Sequence, residues 1–418
     1  MKSRRDFLKG LALAGGFGLL PLGRSGWALA APQPVNRRLV VLLMRGAVDG
    51  LSIVTPYRER NYYASRPDIA LATPGTADGL YDLDGSFGLN PALGSLMPLW
   101  SGGTMGFIHA SGSPADTRSH FEAQDIMETA MLNSAVANEG WMNGLAQILP
   151  DNRDPTRVMS FGNTLPKIFQ GGYNVATVPT NMTAGQAHRP ENPHQTQEFA
   201  QLYGGQGQLG NLFQQGTAAR QNMEMELQPE ASPAMSSEMQ AANKNAPNVD
   251  AFVAQSAKAG EMIRRDPAIQ LVFMDVGGWD THVGQGNAKG QLANKLGKLS
   301  EGLVAMIQAM GPQYANTTIL VMSEFGRTVA QNGSSGTDHG HGNVAWLMGG
   351  TVRGGKVYGR WPGLDKNQLW QGRDLAVTTD FRSIIGMTVA GTFGTDEAMV
   401  RRIIPDYKVD GDIAGIVG

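Results

Sequence analysis

Short, continuously apolar runs that stop at glycine or at a chemically active residue recur along this chain. Residues 39–44 lead into Arg45-Gly46-Ala47-Val48-Asp49-Gly50, and residues 105–108 into His109. Residues 269–274 lead into Asp275, and residues 318–322 into Ser323-Glu324-Phe325-Gly326-Arg327. Apolar runs without alternation predict strands buried on both faces, as in a parallel sheet. Between them the period becomes helical. Residues 289–310 place Leu292, Leu296, Leu299, Leu303, Met306, Ile307 and Met310 on one face, and Gly311-Pro312 stops the pattern. Further helices are predicted over 120–132 and over 249–265, the latter before Pro267. Strand–helix–strand alternation predicts an α/β fold with a mainly parallel central sheet and helices on both faces. Ligands collect at the carboxyl ends of strands in such sheets, where Asp49, Asp275 and Glu324 all fall.

Two segments break this pattern. Residues 180–248 are rich in Gln, Asn, Met and Ala and carry Pro190, Pro193, Pro229, Pro233 and Pro247, which predicts a polar insertion or cap. At the start, Ser3-Arg4-Arg5-Asp6-Phe7-Leu8-Lys9 is a twin-arginine pattern, followed by an apolar run over 11–20 and by Ala28-Leu29-Ala30, a small-x-small cleavage site. The run is broken at Pro21 and falls short of the ~20 residues that span a bilayer. Residues 1–30 therefore read as a signal peptide recognised by the twin-arginine translocase. The mature chain, 31–418, is expected in the periplasm or otherwise exported, with no membrane span after cleavage.

Composition narrows the chemistry. A formal charge of −2 over 418 residues gives no global attraction for nucleic acid. Cysteine is absent, so any metal must be held by His, Asp, Glu or backbone. Two of the seven histidines lie in Gly336-Thr337-Asp338-His339-Gly340-His341-Gly342. A carboxylate and two imidazoles framed by glycine suit a divalent metal such as zinc, and the glycines allow positive-φ turns and close backbone approach. His282 sits in a similar setting, Gly278-Trp279-Asp280-Thr281-His282. In extended chain Asp280 and His282 share a face; the competing reading is a helix cap by Asp280 and a hydrogen-bonded His282. Asp49 alone reads as an Asp-Gly turn. Glu324 is either a ligand or general base, with Arg327 as an anion-binding fork, or simply the partner of Arg327 in a salt bridge. Thr117-Arg118-Ser119-His120 opens a helix. Ser119 or Thr117 can cap it, with Glu122 in capping-box spacing; functionally, Ser119 is the candidate nucleophile and Arg118 a holder of anionic oxygen.

Taken together, residues 43–51, 118–124, 278–282, 322–328 and 336–342, extended by Trp361-Pro362-Gly363-Leu364 and Thr379-Asp380-Phe381-Arg382, resemble the exported bacterial family of unknown function numbered 1501, within the alkaline-phosphatase-like superfamily. The resemblance implies that fold, usually two metal ions, and a Ser, Thr or modified Cys nucleophile attacking phosphate or sulfate esters; one or two ions are expected here, with an anionic small molecule or polymer as substrate. It makes Asp49 similar to the superfamily's first-strand aspartate, Asp275 (or Asp280) with His282 similar to its central ligand pair, and Asp338-His339 similar to its Asp-His pair, with His341 alongside. That last pair normally follows a strand directly, where this chain has Glu324-Phe325. The expected function is a metal-dependent hydrolase or transferase of such esters; the alternative is a non-catalytic exported binding or assembly protein that keeps the fold.

Overall fold

The computed structural model describes residues 36–134, 137–150, 154, 156–179, 242–244 and 246–418. The predicted signal peptide and nearly all of the predicted insertion lie outside the described residues.

The apolar runs become strands. β1 (Arg38–Met44) is buried along its whole length. β2 (Met105–Gly112) is followed by helix α1 (His120–Thr129), then α2 (Trp141–Ile148), β3 (Val158–Phe161) and β4 (Ala176–Val178). Next come α3 (Val249–Arg265), β5 (Leu271–Val276), α4 (Gln291–Met310), β6 (Thr317–Ser323) and β7 (Asn343–Gly349). The described chain closes with β8 (Val357–Tyr358), β9 (Thr379–Asp380), α5 (Phe381–Phe393) and α6 (Glu397–Ile403). These strands form one nine-stranded sheet in the order β8-β2-β7-β6-β1-β5-β3-β4, with β9 added against β2. β1 pairs in parallel with both β5 and β6 at the centre. Only β7 runs against its neighbours, β2 and β6, so the α/β sheet is mainly parallel but mixed.

Side chains of β1 divide by parity, as the two-residue period of a strand requires. Leu39, Val41 and Leu43 enter a core shared with α1, α2, α5 and α6. Val40, Leu42 and Met44 enter the opposite core, against α3 and α4. Helices thus cover both faces, and the described residues from Arg37 to Gly418 form one compact unit.

α3 and α4 approach closely because glycine stands at their crossing. A Cβ at Gly260 would lie 2.2 Å from the Met306 carbonyl oxygen, and one at Gly302 2.7 Å from the Phe252 ring. Helix propensity alone favours Gly260→Ala by about 1 kcal/mol, whereas the backbone clash costs about 1–3 kcal/mol. The variant is expected to lower the midpoint of chemical unfolding; a raised midpoint would show that the helices can separate freely.

Candidate cation centre

Four chain segments meet beyond the carboxyl ends of β1, β5 and β6. His120 is the first residue of α1. Asp280 and His282 lie in the irregular segment after β5, Glu324 directly follows β6, and His339 comes from the glycine loop. The loop arrives because it folds back on the strand end. Gly326 N donates to His341 O (2.9 Å), Gly340 N to Gly326 O (2.8 Å), and Thr328 N to Asp338 O (2.9 Å). His339 therefore lies next to the end of β6 although it follows that strand late in sequence. The glycines permit this by contact rather than by turn geometry: Gly336, Gly340 and Gly342 do not have positive φ. A Cβ at Gly336 would stand 2.2 Å from His282 O, and one at Gly340 2.3 Å from the Arg327 carbonyl carbon.

Three imidazoles converge through Nε2. His120 Nε2 is 3.0 Å, and His282 Nε2 3.1 Å, from His339 Nε2. Asp280 Oδ1 lies 3.3 Å from His339 Nε2 and 3.0 Å from His282 Nε2. Asp280 Oδ2 is buried without a hydrogen-bond partner among the described residues, with His120 Nε2 3.8 Å away. Each ring is anchored at its other nitrogen to an oxygen that accepts: His120 Nδ1 to Glu324 Oε1 (2.8 Å), His339 Nδ1 to the Arg118 carbonyl (3.0 Å), and His282 Nδ1 to Asp338 Oδ1 (3.2 Å). An Nδ1 that donates fixes the neutral tautomer whose lone pair is on Nε2. Three Nε2 atoms and a carboxylate oxygen then face one another; the Arg327 guanidinium, on Asp280 Oδ1 and 3.5 Å from His282 Nε2, offsets part of their repulsion, and a further cation among them would offset the rest. Zinc–nitrogen bonds of about 2.0–2.1 Å in a tetrahedron set ligand atoms roughly 3.3 Å apart, close to the spacing seen, and oriented Nδ1–H donors are a regular feature of histidine ligands. His120, Asp280 and His339 offer ligand atoms all within 4.8 Å of one another. The donor set fits a divalent metal.

The electrostatics agree. Burial opposes the charged form of His120, but the negative carboxylates of Asp280 nearby and of Glu324 on its Nδ1 prevail and lift it to about 9. His282 is raised, chiefly by its bond to Asp280. Burial would raise Asp280, yet the three histidines and Arg327 hold it far below the usual carboxylate range. Burial likewise works against Glu324, and the bonds from His120 and Gln124 bring it to about 2. Glu324 is fully buried and accepts from Gly46 N, His120 and Gln124 on Oε1 and from Ser323 on Oε2. It orients His120 and does not point at the shared space itself.

Other predicted residues are placed elsewhere. Asp49 lies beyond the end of β1, at the N-cap of a 3-10 helix over Gly50–Ser52, and it is fully buried and bound by both Nη atoms of Arg66 (2.6 and 3.0 Å), with Ser52 and Gln285 on the same carboxylate. Arg66 outweighs burial and keeps it low. Its lone pairs are thus committed to the fold. Asp275 pairs with Arg45 (2.7 Å), which also holds Glu128 (2.9 Å). His341 stacks on Trp370 at 4.8 Å and burial lowers it, so it is a neutral packing group. Arg327, expected as an anion fork, is wholly buried; it holds Asp280 Oδ1 and donates to the carbonyls of Gly46, Ala47 and Thr337. Glu324 and Arg327 therefore serve different partners. Asp280 caps no helix, since α4 begins only at Gln291. Asp338 lies outside the convergence, low in pKa because Asn332 and His282 outweigh burial. Ser119 occupies the N-cap of α1, exposed, with no capping bond from its side chain. Thr117 Oγ1 instead accepts from Ser119 N (3.2 Å) and donates to Glu122 (2.7 Å). Arg118 binds Asp374 (2.9 Å) and is 34% exposed.

His120 escaped the sequence reading of the ligands. It stood inside a matched motif, one residue after Ser119, and the available signal was a histidine at the first position of a helix in the connection that leaves β2.

A family model described as “Protein of unknown function (DUF1501)” matches residues 87–404. No curated protein matches the chain. Among solved structures it is distantly similar to Ps i-CgsB in complex with k-i-k-neocarrahexaose, at 10% identity over 87% of this chain and 74% of that one, with a TM-score of 0.41. It is likewise similar to Ps i-CgsB alone, at 12% identity over the same shares, with a TM-score of 0.39.

A proton can stand where the metal would. With His120 at about 9 in the fold against an ordinary 6.5, folding of the cation-free chain takes up a proton between those values. The stability this lends is complete below about pH 6.5 and is lost as pH rises towards 9. The chelated protein should melt at lower temperature at pH 9.5 than at pH 6, and His120→Asn should flatten that slope. An equal slope in the variant would remove His120 as its source.

Proposed function

We propose for this chain, which belongs to the family described as “Protein of unknown function (DUF1501)”, the activity of an exported metal-dependent hydrolase or transferase acting on phosphate or sulfate esters. The observation that carries it is the convergence of His120, His282 and His339 on Asp280, each ring held at Nδ1 by an oxygen acceptor. His120, Asp280 and His339 would hold the ion, with His282 at its edge. A divalent metal so held would polarise an ester oxygen or lower the pKa of a bound water.

The protein's own groups have separate tasks in this reading. Glu324, Asp338 and the Arg118 carbonyl fix the imidazole orientations. Arg327 supplies an immobile positive charge against Asp280, which leaves room for one divalent ion rather than two. The partly exposed Arg118 guanidinium supports an anionic substrate, because it carries positive charge on the residue that anchors His339. Ser119, exposed beside His120, is the nucleophile in this scheme, with water as its competitor. A second reading, a non-catalytic exported binding or assembly protein, draws support from Asp49 and Arg327, two expected functional groups whose bonds are used structurally.

Metal analysis of the reconstituted protein should find about one equivalent of a divalent ion, falling below about 0.1 in His339→Ala. Glu324→Gln should weaken binding about 10–100-fold, whereas Asp49→Asn should lose stability but keep the metal. A metal-free wild type would end the proposal; a loaded protein inert towards aryl phosphates and sulfates, with Ser119→Ala indistinguishable from it, would favour the second reading. Export through the twin-arginine translocase rests on Arg4 and Arg5. Replacing both by lysine should retain the protein in the cytoplasmic fraction, and normal export of that variant would refute this route.

A further inference from the structure

A cavity of about 580 Å³ opens against the face of α1 next to the one that meets the cation centre. His120 and Gln124 face the centre, whereas Phe121, Asp125 and Glu128 line the cavity, as the helical period requires. Its size is that of a small-molecule site, and it lies by the carboxyl ends of β1, β3 and β5, where α/β sheets take ligands.

Six charges line it in strictly alternating order. Asp275 binds Arg45 (2.7 Å), Arg45 binds Glu128 (2.9 Å), Glu128 meets Lys244 (3.5 Å), Lys244 binds Asp125 (2.6 Å), and Asp125 binds Lys167 (2.7 Å). The row sums to zero, three cations against three carboxylates, but it is not uniform. Glu128, between Arg45 and Lys244, and Asp125, between Lys244 and Lys167, each meet two cations, whereas within the row Asp275 at one end meets Arg45 alone and Lys167 at the other meets Asp125 alone. One end therefore lacks positive charge and the other lacks negative charge. Along the wall, Ser160 Oγ is fully buried and has no hydrogen-bond partner among the described residues. Such a hydroxyl normally finds a partner. Phe121 and Leu165, 57% and 42% exposed, give the cavity an apolar rim.

We propose that this cavity is a binding site for a small zwitterion with an apolar body, its ammonium group at Asp275 and its carboxylate at Lys167. An anionic ester would meet three carboxylates here, and a simple amine two lysines; only a ligand carrying both charges completes both ends of the row. The site does not depend on the metal or on ester chemistry, so it stands or falls apart from the function proposed above.

Calorimetric titration of the full chain tests it, with glycyl-L-phenylalanine as probe beside its N-acetyl derivative, its C-terminal amide and inorganic phosphate. The free dipeptide should bind with Kd of about 1 mM or tighter, and each blocked form about tenfold more weakly. Lys167→Gln, at a part-exposed position that should leave folding intact, should erase the difference between dipeptide and amide. Asp275→Asn should erase the difference between dipeptide and N-acetyl form. Failure of the dipeptide to bind at 10 mM would overturn the proposal. So would equal binding of the blocked forms, tighter binding of phosphate, or wild-type discrimination in Lys167→Gln.

Discussion

The carboxylate of Asp280 lies buried between a guanidinium and three imidazoles, and a charge in that position must be neutralised by groups that cannot move away. Much of the local architecture follows from this. Arg327 is fixed by the carbonyls of Gly46, Ala47 and Thr337, which ties the segments after β1 and β6 to the glycine loop. The loop in turn needs glycine wherever its backbone passes against His282 or Arg327. Removing the carboxylate would leave Arg327 buried and unpaired, a cost of about 3–5 kcal/mol by the usual behaviour of broken buried pairs.

The same network reaches past the cation centre. Glu324 accepts from Gln124, Gln124 Oε1 accepts from Arg45 (2.8 Å), and Arg45 joins Asp275 to Glu128 in the alternating row of charges in the cavity. α1 gives side chains to both sites. Glu324 thus holds His120 in place while standing at one end of a continuous path of hydrogen bonds to Asp275. Continuity of this sort in a low-dielectric interior makes each bond depend on its neighbours.

How much of this could be read from the chain differs by element, for physical reasons. β1, β5, β6, α3 and α4 were legible because burial on two faces, or on one helical stripe, leaves a direct trace in apolar spacing. β7, Asn343–Gly349, was not among the strands expected, and its antiparallel direction could not have been read, since strand direction leaves no trace in apolar spacing. Asp280, His282 and His339 stood out because they sit in unusual local company. Asp49 misled because its partner, Arg66, lies 17 residues away in an unremarkable segment. The Glu324/Arg327 pairing misled for the opposite reason: residues three apart look like partners, yet each bonds to groups more than forty positions distant. Nearness in sequence is a poor guide to pairing at a strand end, where the chain turns sharply.

The separation between His120 and His339, 219 residues, has a consequence for when the ion is chosen. No short stretch of this chain carries the complete donor set, so an unfolded chain has no such site and affinity appears only once the sheet has closed. A translocase that moves folded cargo would then carry a centre assembled on the inner side of the membrane. On the proposed route, the metal in the mature protein would reflect the ions available where the chain folds, whatever the composition of the compartment in which it works.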